Sequence, residues 1–119
     1  MTTTRKDNEF LNGIPELLIL RLLGNRPMYG YELVQAIRLA SSEVLAFGEG
    51  CVYPVLHRLE GDGHLAAKRE LVAGRSRVVY RLTPTGRKRL DAIAARWEEV
   101  ATAVGRVLGG TSNGLPTLA

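Results

Sequence analysis

The sequence predicts a mainly α fold with a β-hairpin, α+β in class: a winged helix-turn-helix with a two-stranded wing and a long C-terminal dimerisation helix. Three observations predict it. Three helical segments precede residue 63, an alternating strand pair spans residues 64–82, and a heptad-spaced apolar stripe runs from Leu90 to Val107. A chain of 119 residues has room for one domain with a real core, not for two.

The elements follow in order. Residues 1–9 are polar and read as a flexible arm. A first helix is predicted over 15–23, with Pro15 in its first turn. Leu17, Leu18, Leu20 and Leu22 leave it few polar positions, so it is expected to be buried on more than one side. The run Gly24-Asn25-Arg26-Pro27 stops it. A second helix is predicted over 29–42, with Leu33, Ile37 and Ala40 at helical spacing and Val34 alongside. A glycine-bearing loop over 43–50 leads to a third helix over 51–62, where Pro54 is expected in the first turn. The hairpin has strands over 64–71 and 76–82 around a turn at 72–75, with Gly74 supplying a positive φ. Val78, Tyr80 and Leu82 alternate with Arg77, Val79 and Arg81, the period of a half-buried strand. Thr83 and Pro84 supply an N-cap and a first-turn proline for the long helix, predicted over 84–108. The chain thus divides into an arm (1–9), a winged-helix domain (10–83), the long helix (84–108) and a disordered tail (109–119).

Composition narrows the function. A single cysteine, Cys51, excludes an internal disulfide and fits a reducing cytoplasm. With His57 and His64 as the only histidines, a zinc site is not expected, and neither is any other cofactor. Met1 to Asn8 has no apolar h-region, and no run is long enough to span a bilayer, so a cytoplasmic location is expected. No phosphate loop, nucleophile elbow or metal-ligand spacing argues for an enzyme. The formal charge is +4, but residues 68–89 alone carry eight cations against Glu70, leaving the remainder slightly acidic. A basic block rich in arginine suits phosphate, which a guanidinium grips with two parallel hydrogen bonds. A merely solvated face is the plain alternative.

Placed at about 100° per residue, the third helix turns Val52, Val55, Leu56 and Leu59 to one side. Gly50, Tyr53, Pro54 and His57 fall opposite, with Arg58 at the edge. Such a face near a helix N-terminus suits a major groove. Arg58 could bond guanine, and Tyr53 could contact phosphate or a thymine methyl. A partly buried wall of the helix-turn-helix is the other role open to Tyr53. Arg75 and Arg77 lie at or beside the wing tip, with Lys68, Arg69 and Arg81 further back. Arg87, Lys88 and Arg89 open the long helix against its dipole, which favours an outside partner over a solvated turn. Cys51 at a helix N-terminus could be reactive, but a small capping residue is its simpler role.

Leu90, Ile93, Trp97, Val100, Val104 and Val107 are spaced 3, 4, 3, 4, 3, a heptad seam on a helix of roughly 37 Å. That stripe exceeds what a small winged helix can cover, so a second copy of the chain is expected along it.

Three segments carry a family resemblance: Met28-Tyr29-Gly30-Tyr31-Glu32-Leu33, then residues 52–60 (VYPVLHRLE), then residues 74–83 (GRSRVVYRLT). Together, in this order, they resemble the PadR family of bacterial transcription regulators, over residues 10 to about 104. Cys51, Ser76 and Val79 depart from the usual residues. The single C-terminal helix resembles the short subfamily. The resemblance implies a homodimeric repressor on an inverted-repeat operator in double-stranded DNA, relieved by a small hydrophobic or aromatic effector. It also implies that Trp97 stacks such a ligand at the dimer interface, although ordinary core packing would equally occupy an indole there. The residues expected to face DNA are Tyr29, Gly30, Gly50, Cys51, Tyr53, Pro54, His57, Arg58, Lys68, Arg75 and Arg77. A winged helix used only for protein–protein assembly is the competing function.

Overall fold

The structure, a computed structural model, describes residues 5–109, and of 5–12 the backbone only. Helix α1 (Arg5–Asn25) starts well before the expected position, taking in part of the stretch read as an arm. Pro15 therefore lies inside the helix rather than in its first turn, and the hydrogen bond its nitrogen would have made to the preceding turn is missing. The polar composition of residues 5–9 hid this, because backbone propensity alone rarely sets a boundary. Ile19, Leu20 and Leu23 form the buried stripe of α1, flanked by half-buried Leu17, Leu18 and Leu22. Residues 1–4 and the tail beyond Gly109 lie outside the described residues.

After Pro27, Met28–Tyr29 forms a short strand, β1, which the sequence does not predict: Tyr29 was expected to open the second helix. Helix α2 (Gly30–Ala40) then begins, with the Tyr29 N–H donating to the Glu32 carboxylate at 3.3 Å. Arg26 holds the other oxygen of Glu32 at 2.7 Å. Helix α3 (Glu49–Gly61) begins two residues earlier than expected, so Pro54 falls in the second turn. The Gly50 carbonyl it leaves without a helical donor is on an exposed residue, where water can serve it.

The hairpin pairs β2 (Leu65–Val72) with β3 (Arg75–Leu82) in antiparallel register, Val72 opposite Arg75 and Leu65 opposite Leu82. The turn is only Ala73-Gly74, both at positive φ (51° and 80°), the backbone of a two-residue mirror-image turn. β1 adds to the free edge of β3, Met28 opposite Tyr80 and Tyr29 opposite Val79, so the sheet has three strands in the order β1-β3-β2.

The alternation expected along β3 fails at Val79, which is buried like its neighbour Tyr80. Tyr80 faces the core. Val79 faces outward, but Tyr29 and Lys68 stand directly opposite it, with Arg77 and Arg81 two residues to either side. Long side chains cover it, as amphipathic stems commonly do.

Helix α4 (Pro84–Val107) is capped by the Thr83 hydroxyl, which accepts from the Gly86 N–H at 3.0 Å. Its base is clamped to the end of α3: the Thr83 and Thr85 hydroxyls both donate to the Gly63 carbonyl at 2.7 Å. Gly86 sits so close to the His64 carbonyl that a Cβ there would collide with it. The core gathers Ile19, Leu20 and Leu23 with Met28, Leu33 and Ile37, then Val52, Leu56 and Leu59 of α3, closed by Leu65, Tyr80 and Leu90.

Candidate nucleic-acid interface

Helix α3 holds its apolar side in the core through Val52, Leu56 and Leu59, all fully buried, with Val55 half-buried beside them. Gly50, Pro54 and His57 are exposed. Cys51 is a half-buried free thiol. Tyr53 is not free: it is half-buried against the core, its ring lying against Gly30, where an added Cβ would stand 2.5 Å from ring carbons. Tyr53 is therefore a wall between α2 and α3, and only a glycine at 30 admits it. Its ring centroid is 6.3 Å from that of His57.

The wing meets the same corner. The Arg77 guanidinium stacks over the Tyr29 ring, 4.5 Å from its centroid, and Arg77 is half-buried rather than displayed at the tip. Gly30 touches α3 and Tyr29 touches the wing, so the two residues opening α2 bring both surfaces together. Lys68 and Arg75 share the outer face of the hairpin with Arg77 and both are exposed. Arg81 on that face pairs with Glu70 at 2.6 Å. On the inner face, Arg69 donates to the Ser76 hydroxyl at 3.2 Å.

Arg58, expected to be available to a base, is about half exposed but engaged by carboxylates of its own chain. Its guanidinium donates to Glu16 of α1 at 3.2 Å and lies 4.0 Å from Asp62. Glu16 also receives Arg89 of α4 on both oxygens, at 2.7 and 3.4 Å. Burial alone would raise the Glu16 pKa. The hydrogen bond and charge of Arg89, and then those of Arg58, more than offset it, and the carboxyl is held below its ordinary value. The sequence reading passed over Glu16, yet a signal was there. It is three, four and seven residues before Ile19, Leu20 and Leu23, on the stripe that enters the core.

The cations opening α4 likewise have partners inside the chain. Arg87 donates to the Gly24 carbonyl at the end of α1, 3.3 Å away, where a cation suits the helix dipole. Arg89 holds Glu16, and of the three only Lys88 makes no such link among the described residues.

The heptad seam divides. Leu90 is buried in the chain's own core, which corrects its assignment to a subunit contact, and half-buried Ile93 packs beside it. Val100 is half-buried. Trp97, Val104 and Val107 are exposed at 38 %, 45 % and 87 %. Between α1 and α4 lies an open groove of about 190 Å³, walled by Ile14, Leu17, Ile93 and Trp97, with Glu16, Arg89 and Arg96 as its polar members.

A helix-turn-helix whose second helix is half exposed, flanked by a cationic hairpin and followed by a long helix, defines a winged helix-turn-helix protein. Residues 19–92 match the transcriptional regulator PadR-like family, and the chain belongs to that family, which is one of regulators and not of enzymes. It is 38 % identical over 105 residues to the transcriptional regulator Rv3488 of Mycobacterium tuberculosis, a match covering 88 % of this chain and 92 % of that one. Among solved structures, it resembles a PadR family transcriptional regulator from Eggerthella lenta (TM-score 0.70, 30 % identity, 84 % of this chain and 86 % of that one). It also resembles the PadR-like transcriptional regulator BC4206 from Bacillus cereus (TM-score 0.73, 27 % identity, 86 % and 98 %).

Proposed function

We propose that this regulator is a homodimeric repressor that reads an inverted-repeat operator with α3, steadies itself on phosphate with the wing, and is released by a small apolar or aromatic effector. The observation that carries the DNA reading is the corner at Tyr29-Gly30, which joins the exposed start of α3 to the cationic outer face of the wing. Gly50, Pro54 and His57 then face the groove, with Cys51 beside them and Tyr53 as their support. Lys68 and Arg75 supply phosphate contacts, and Arg77 holds the wing's angle.

Dimerisation rests on the distal half of α4, where Val104, Val107 and Leu108 are too exposed for an apolar row to stay uncovered. The groove beside Trp97 supports the effector reading. Its volume suits a single aromatic ring, and its walls are apolar apart from Glu16, Arg89 and Arg96.

The test is a gel-shift titration on the promoter of the protein's own gene against a scrambled duplex, at one fixed salt concentration. Preference for the promoter by about a hundredfold or more supports specific reading. Equal affinity for the two duplexes leaves only backbone anchoring, and no shift at all points to an assembly module.

A further inference from the structure

Two polar attachments join α3 to α4, and they differ in kind. The first is at the end of α3, where Thr83 and Thr85 grip the Gly63 carbonyl and Gly86 abuts His64. One point of attachment leaves a rod free to swing about it. The second is Glu16, whose carboxylate receives Arg58 from the last turn of α3 and Arg89 from the first turns of α4, and so ties both helices to α1. Apolar contacts around them are non-directional, whereas charge-assisted hydrogen bonds hold distances and angles.

We infer that Glu16 is a positioning residue: its shared carboxylate fixes the direction of α3 relative to α4, and through α4 the separation of the two reading helices in the dimer. The inference rests on the dimeric operator-reading proposed above. A side chain that is 6 % exposed and carries a full charge is an expensive way to add stability. Buried ion pairs often contribute no more to stability than a well-packed apolar replacement, and their best-attested use is in fixing register. Both arginines remain about half exposed, so the desolvation falls mainly on Glu16. Its carboxyl nonetheless stays below its ordinary pKa, which means the two cations outweigh the burial. Removing Arg89 would leave Glu16 paired with Arg58 but untied from α4.

The experiment uses the full chain and a set of operators whose inverted half-sites are moved apart or together by one and two base pairs. The readout is the ratio of affinities between the best spacing and the altered ones, for wild type, Glu16→Gln and Arg89→Met. A mutation that merely lowers the folded fraction weakens every duplex alike and leaves this ratio untouched. The expected result is a wild-type preference for one spacing that falls about fivefold or more in each variant. Arg89→Met orphans no buried charge, so it carries the test if Glu16→Gln does not fold. A folded variant of either kind that keeps the wild-type ratio overturns the inference and leaves the operator-reading intact. A wild type with no spacing preference overturns that reading, and the inference with it.

Discussion

Glu16 shows how one side chain ties three helices together. Its pKa in the folded chain lies below the ordinary 4.5, because Arg89 and Arg58 favour the charged form more than burial opposes it. A depressed carboxyl contributes stability that is complete above the unfolded pKa and is lost as pH falls through the folded value. Glu16→Gln is therefore expected to be less stable than wild type at neutral pH, by about 1–3 kcal/mol. The gap should narrow below about pH 4.5, where the wild type loses the same contribution. Urea melts of both proteins at neutral and acid pH check this, and a gap constant with pH would refute it. Gly30 makes the complementary point about space. With Tyr53 lying against its Cα, Gly30→Ala should cost about 1–3 kcal/mol through overpacking. In a Tyr53→Ala background the same change should cost almost nothing, which a double-mutant cycle would measure.

At the scale of elements, the wing separates two arginines that look equivalent in sequence. Arg75 is exposed beside the turn, whereas Arg77 is half-buried on Tyr29. Arg75→Ala should lower DNA affinity similarly across sequences and flatten the salt slope by about one unit. Arg77→Ala should instead lower the melting temperature as well, because it removes a cation–π contact between β3 and β1. Thermal melts beside the salt titrations distinguish the two, and a silent Arg75→Ala would remove the wing from the interface. The turn offers a further check. Ala73 adopts the left-handed region that an alanine disfavours and an asparagine tolerates. Ala73→Asn should stabilise the hairpin by about 0.5–1 kcal/mol without altering DNA binding, as chemical denaturation would show.

For the whole molecule the decisive quantity is the proposed subunit interface. Two of the six residues of the heptad stripe, Leu90 and Ile93, are spent inside the chain, and the exposed part centres on Val104 and Val107. A double change of Val104→Asp and Val107→Asp should give folded monomers by light scattering, since the winged-helix core does not involve either residue. Those monomers should keep weak non-specific binding and lose operator preference, because a single α3 reads only one half-site. In the proposed dimer the two reading helices should stand roughly 34 Å apart, or a multiple of it, matching half-sites about 10 bp apart. A double variant that remains dimeric would move the interface elsewhere on α4 or onto α1.

Apart from β1, the order of elements was legible in the sequence, as were the wing, the apolar side of α3 and the Thr83-Pro84 start of α4. Each depends on local periodicity or on a residue's own backbone preference, and neighbours along the chain settle those. The three motifs at 28–33, 52–60 and 74–83 contain the residues of the corner where α2, α3 and the wing meet, but the meeting itself is visible only in the fold. What only the tertiary structure decided concerns partners distant in sequence. Met28–Tyr29 became a strand because the edge of β3 was free to pair, and Val79 was buried by side chains from three strands. In sequence Arg77, Arg87 and Arg89 read as cations seeking phosphate and Arg58 as one seeking a base, but Arg58 and Arg89 are held by Glu16, Arg77 by Tyr29 and Arg87 by the Gly24 carbonyl. Charge in a sequence states what a side chain can attract. The fold decides whether a partner within the chain reaches it first, because an ion pair needs its atoms within a few ångströms and linear spacing does not contain that distance.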